Sequence, residues 1–156
     1  MKYSTRGIAH AMSIMKNLSR IDNKKLALVS LYSGLSISIT KTGICHSISY
    51  PLTSHYKIPH GIACMFSFIE VLSYNIKNDD GRFSKYFPDS NSLVKTFENF
   101  FDRISFTNKI NQLVSKDELL LLKDKIFDPD RMNNNFKQLS KNEIVNIYLK
   151  SVDRTF

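Results

Sequence analysis

Cysteine is nearly missing from this chain: Cys45 and Cys64 are the only two in 156 residues, too few for a disulfide framework. Each stands among apolar or small neighbours, so both are expected as buried, reduced thiols, and the cytoplasm is the simplest compartment. No run of eighteen apolar residues occurs, which speaks against a membrane-spanning helix. The opening MKYSTRGIAHAMSIMKNLSR lacks an uninterrupted apolar stretch followed by a small-residue cleavage site, so a secretory signal is not expected either. Glycine is scarce as well. Gly7, Gly34, Gly43, Gly61 and Gly81 are the only five and all are isolated, which leaves no glycine-rich turn to cradle a phosphate. Acidic residues are outnumbered, 14 against 22 Lys and Arg, for a net charge of +8. The lysines are nevertheless scattered, with no block of five or six like charges. A nucleic-acid partner therefore has only the net charge behind it, and neither nucleic acid nor membrane is expected as a partner. No internal repeat, low-complexity linker, HExxH or CxxC motif is found.

Strand alternation is also wanting, and what is present instead is helical periodicity. Ile8, Met12, Met15 and Leu18 fall on one stripe of an amphipathic helix. LALVSLYSGLSISIT, Leu26 to Thr40, is apolar or small nearly all round, and a helix with no charged face belongs in a core. The β-branched Ile37, Ile39 and Thr40 leave a strand open for its last turn. Gly43 then reads as a helix stop. Ile62, Met65, Phe66, Ile69 and Leu72 recur at helical spacing, as do Leu93, Val94, Phe97, Phe100, Phe101 and Ile104. NDDGR at Asn78 to Arg82 and FPDSNS at Phe87 to Ser92 are loops. Ser115 before Glu118 and Ser140 before Glu143 form two capping-box signatures. The fold expected is all-α, a single helical bundle over residues 1–156, a length that suits one domain with its own core.

Three of the four histidines and two of the four prolines crowd into HSISYPLTSHYKIPHG, His46 to Gly61. A continuous helix would hold His46 and His60 about 21 Å apart along its axis, too far for two imidazoles to share one ion at about 2.0 to 2.1 Å each. The chain must bend if both serve one metal. Pro51 and Pro59 offer the places, and the expected pattern is a short helix, a break at Pro51, a loop, and a new helix from Pro59. His60 would then sit in a first helical turn after a proline, and His46 in another helix opening.

GICHSISYPLTSHYKIPHGIACMFSFIEVLSYN resembles the signature region of the iron-containing alcohol dehydrogenase family: a His, a short spacer with Pro, and a distal Pro-His-Gly. Similarity continues upstream through LALVSLYSGLSISITKTG and downstream to DRMNNNFKQLSKNEIVNIYLKS. TKTG together with HSISYP is similar to the phosphonoacetaldehyde reductase-like branch. The resemblance implies the helical C-terminal domain of these enzymes, of dehydroquinate synthase-like fold, with His46 and His60 matching the third and fourth metal ligands of a site for Fe(II) or Zn(II). His55 matches no ligand position and is expected to face solvent. Many members carry a further His four residues after the third ligand, close to the reacting carbon; that position is Tyr50, whose phenol would donate to a substrate oxygen or relay a proton, or simply pack.

The same resemblance implies two further ligands, an Asp and a residue four later, and neither is matched, since His10 has Arg6 four positions before it. It also implies an N-terminal nucleotide-binding domain for NAD(P), expected to be absent from this chain, which would then be truncated on its N-terminal side. The implied function is the C-terminal part of a metal-dependent alcohol dehydrogenase or aldehyde reductase acting on a small aldehyde or alcohol, inactive without the cofactor domain or a chain that supplies it. A catalytically dead remnant, kept as a folded helical interaction module, is the alternative. Assembly as a homo-oligomer is left open.

Overall fold

The computed structural model describes residues 2–132 and 134–156, with the backbone alone at 2, 91, 130 and 131. All regular structure among the described residues is helical, as the periodicity requires. No helix among them is long and apolar enough to cross a membrane. Two compact units divide the chain, one ending at Lys41 and the other starting at Thr42.

The first unit is a helical hairpin of α1 (Lys2–Lys16) and α2 (Asn23–Thr40). Asp22 caps α2 by accepting from the backbone N–H groups of Lys24 and Lys25, which satisfies two of the donors that every helix start leaves over. The two helices meet at Gly7, where a Cβ would come within 3.3 Å of the Tyr32 Cβ. One helical turn on, His10 stacks on the Tyr32 ring at 5.9 Å with the planes 4° apart. Three expectations change here. Helix α1 ends at Lys16, so Leu18 lies beyond it. Thr40 is still helical, so the last turn of α2 is not strand. And α2 is no core helix: none of its residues is buried, with Leu31 55% and Ile39 70% exposed. Apolar composition says that a face wants cover; it does not say where the cover comes from.

The second unit holds α3 (Ile44–Tyr56), α4 (His60–Phe66), α5 (Phe68–Lys77), α6 (Ser90–Arg103), α7 (Phe106–Asn111), α8 (Lys116–Leu120), α9 (Pro129–Met132) and α10 (Lys141–Thr155). Its core joins Ile48, Leu52, Ile58, Phe66, Ile144 and Tyr148, all fully buried, each stabilising the fold by about 1.5 to 3 kcal/mol of apolar burial. Phe101 and Phe106 are buried, with ring centroids 4.6 Å apart and planes tilted by 36°, and Phe97 and Phe100 pack against the same core, so the phenylalanine stripe is core. Both capping boxes form as read, Ser115 with Glu118 and Ser140 with Glu143. Gly43 is not the stop of α2. Lys41, at φ 60°, ends that helix, and Gly43 is the N-cap of α3.

Helix α3 also runs straight through Pro51 instead of breaking there. The cost of an interior proline, about 3 kcal/mol, is met by tertiary packing on both sides: Ile48 and Leu52 are fully buried, and the Ser47 hydroxyl donates to the Ile126 carbonyl at 2.9 Å. The bend comes later. Lys57 takes the left-handed conformation at φ 57° and ψ 21°, Ile58 drops into the core, and Pro59, extended, caps α4. Packing on α10 then fixes the far end of α4. The Arg154 guanidinium donates to the Phe66 carbonyl at 2.7 Å and pairs with Glu70, which also accepts from the Ser151 hydroxyl at 3.0 Å.

Candidate metal centre

The turn at Lys57 to Pro59 folds α4 back on α3, and the two imidazoles meet. The ring centroids of His46 and His60 lie 5.4 Å apart with the planes inclined by 60°. His46 sits in the first turn of α3, its backbone N–H donating to the Gly43 carbonyl at 3.0 Å, while its own carbonyl accepts from the buried Ser49 hydroxyl at 2.7 Å. His60 is the first residue of α4. His46 is half-buried and His60 exposed, so the pair opens to solvent.

Tyr50 stands one turn after His46 on α3, its ring 6.0 Å from that of His60. It is 41% exposed, so its phenol borders the open side of the pair and is not packed into the core. His55 is exposed, next to Tyr56 near the end of α3. His10, in the other unit, is engaged by Tyr32.

Cys64 is the residue that the sequence reading missed. It was expected as a buried thiol, yet it is half-buried, and its Sγ lies 3.6 Å from His60 Nε2. One donor atom from each of His46, His60 and Cys64 falls within 4.8 Å of the others, and no other such group occurs among the described residues. The signal was present in PHGIAC: His60 and Cys64 are four residues apart, on one face of any helix that holds both. Desolvation pushes the Cys64 thiol above its ordinary range, and the neighbouring Ser49 hydroxyl pulls the other way. Cys45, also half-buried rather than buried, is pushed up to about 12 by desolvation, with the Ser67 hydroxyl opposing. It stays a protonated thiol at neutral pH.

Two imidazole nitrogens and a sulfur, converging from two helices and open on one side, form a donor set suited to a borderline divalent ion such as Fe(II) or Zn(II). No oxygen-rich cage for Mg(II) or Ca(II) is offered by these three side chains. Fold and cluster together define the class: a helical domain that presents an imidazole pair from the two sides of a sharp turn.

Residues 5–152 match the Fe-containing alcohol dehydrogenase family, C-terminal, and the chain belongs to that family. It is similar to 4-hydroxybutyrate dehydrogenase of Clostridium kluyveri, 23% identical over 133 residues, which cover 78% of this chain and 36% of that protein. Phosphonoacetaldehyde reductase of Streptomyces viridochromogenes is 43% identical over 44 residues, 28% of this chain and 11% of that protein. The chain thus spans little more than a third of the first of these relatives and about a tenth of the second. No solved structure matches it.

Proposed function

We infer that this chain is the metal-holding C-terminal part of an alcohol dehydrogenase or aldehyde reductase that uses NAD(P)H. The observation that carries the reading is the convergence of His46 and His60, 5.4 Å between ring centroids, within the stretch that matches the family. A divalent ion held there, Fe(II) or Zn(II), supplies Lewis acidity toward a carbonyl oxygen. The two imidazoles hold and orient, each fixed by its place at a helix opening. Tyr50 borders the same open face, and its hydroxyl is suited to pass a proton to the oxygen that gains charge as the carbonyl is reduced. The hydride donor comes with a nucleotide-binding part, since the isolated glycines of this chain provide no phosphate cradle. Without that part the chain is inactive, because hydride transfer needs donor and acceptor held against each other.

Both relatives are named for small anionic substrates, one a carboxylate and the other a phosphonate. A small anionic aldehyde is therefore the proposed substrate class, and the net charge of +8 suits it. The interaction-module reading is favoured by one observation, the absence of any buried residue in α2. Two measurements separate the readings. The purified chain, supplied with Fe(II) or Zn(II), is expected to oxidise no NAD(P)H with small aldehydes; robust turnover would overturn the fragment reading. The nucleotide sequence immediately upstream is expected to encode a glycine-rich turn and an Asp-x-x-x-His or Asp-x-x-x-Gln motif, in frame or as a second chain. A broken version of that segment would favour the remnant.

A further inference from the structure

We propose that Cys64 is a third metal donor, so that this chain alone offers a His-His-Cys site with one position left open for a water or a substrate oxygen. The proposal rests on the reading of His46 and His60 as metal-holding residues and goes beyond it, because that pair alone would leave half the coordination to groups outside this chain.

Distance is the first argument. A tetrahedral ion with metal–nitrogen bonds of about 2.0 to 2.1 Å and a metal–sulfur bond of about 2.3 Å has a nitrogen-to-sulfur edge of about 3.6 Å. Cys64 Sγ lies 3.6 Å from His60 Nε2 and 4.0 Å from Nδ1, so the sulfur already stands about one tetrahedral edge from the ring. Because it is nearly equidistant from the two nitrogens, the imidazole has to turn for a lone pair to meet an ion that the sulfur also holds. An octahedral ion with the same bond lengths needs that edge at about 3.1 Å. The third donor, from His46, completes a group whose members all lie within 4.8 Å of one another. His46 lies across the turn from the other two, in α3, so the triangle spans two helices.

Chemical type is the second. Coordination displaces the thiol proton to solvent as the sulfur–metal bond forms, and the thiolate brings the negative charge that two neutral imidazoles lack. A donor set of two nitrogens and one soft sulfur favours Zn(II) or Co(II) in tetrahedral geometry over oxygen-seeking ions. Three protein donors with a vacant fourth position is also the arrangement that lets a zinc ion polarise an incoming oxygen. Cys45, adjacent to His46 in sequence, does not join the group.

The test is titration of the purified, reduced full-length chain with Co(II). Expected are visible ligand-field bands of tetrahedral intensity together with a near-ultraviolet thiolate-to-cobalt charge-transfer band, saturating at one ion per chain. Cys64→Ser should remove the charge-transfer band and weaken binding at least tenfold, since loss even of an outer partner costs about 10- to 100-fold; Cys45→Ser should change neither. Co(II) bound without that band would leave the Cys64–His60 contact an ordinary S–H···N hydrogen bond, and a band that survives Cys64→Ser would assign the thiolate to Cys45; either result overturns the proposal, while the histidine reading stands. No Co(II) binding at all would overturn the proposal but not the histidine reading, since that pair alone leaves half the coordination to groups outside this chain; Co(II) binding that survives His46→Ala and His60→Ala would overturn both. Should Cys64→Ser fold poorly, alkylation of the unaltered chain decides: Zn(II) is expected to protect Cys64 and leave Cys45 unprotected, and equal alkylation of Cys64 with and without Zn(II) counts against the proposal.

Discussion

Arg154 shows at the scale of one residue how a site is held from behind. Its guanidinium reaches the carbonyl of Phe66, the last residue of α4, and pairs with Glu70 on α5. Both side chains are well covered, 25% and 10% exposed, so a charge left alone there has little water to turn to. Arg154→Ala should therefore cost about 3 kcal/mol, read as a drop in urea midpoint, and should loosen the helix that carries His60 and Cys64. Arg154→Lys keeps the charge but not the planar fork, and should lose less. An unchanged midpoint in Arg154→Ala would mean that α4 is held by its apolar contacts alone. Nothing in the local sequence announced this pair, since Glu70 and Arg154 meet only through tertiary folding. The approach of His46 to His60 was legible by contrast, in the crowding of three histidines and two prolines into one stretch and in the resemblance that this stretch carries. Cys64 was passed over because its apolar neighbours suggested burial, although its spacing from His60 on one helix already placed them together.

Elements show where local rules hold and where packing overrules them. The capping boxes at Ser115 and Ser140 were readable because every partner lies within three residues. The core role expected of α2 failed because composition cannot say which neighbour covers a face, and none of its residues is buried. Pro51 is the sharpest case. It was read as a break, yet α3 continues through it, and the bend falls at Lys57, a residue whose left-handed backbone no pattern foretold. If packing holds α3 together despite Pro51, removing the proline should help. Pro51→Ala restores a backbone donor and regains about 3 kcal/mol of helix preference. Against this stand the loss of about two buried methylenes, about 0.8 kcal/mol each, and a floppier unfolded chain, about 0.4 to 1 kcal/mol. A net gain of about 0.5 to 1 kcal/mol is expected in urea unfolding. A clear loss instead would show that the ring itself shapes the helix beside the histidine pair.

For the whole molecule, the helix starts and the buried phenol contribute to how stability responds to pH. Glu118 and Glu143 have their carboxyls held below the ordinary range by the backbone N–H and then the hydroxyl of Ser115 and Ser140, and Asp80 is lowered by its hydrogen bond to Arg82. These groups bind protons less readily folded than unfolded. Their contribution is fully present above the unfolded carboxylate range, about 3.9 to 4.3, and is lost as pH falls through the lower folded values. At the other end, burial raises Tyr148, whose hydroxyl donates to the Leu119 carbonyl at 2.7 Å. Here the contribution is complete below the ordinary phenol value, about 10, and fades as pH rises toward the higher folded one. The urea midpoint should therefore trace a plateau across neutral pH with a fall on each side. Ser115→Ala with Ser140→Ala should lower the plateau and make the acid fall shallower, because the carboxylates lose the hydroxyls that help to hold them ionised. Tyr148→Phe should flatten the alkaline fall and leave the steepness of the acid fall unchanged. An acid limb of the same steepness in the doubly substituted chain would assign acid unfolding to other carboxylates and remove the helix caps from the account.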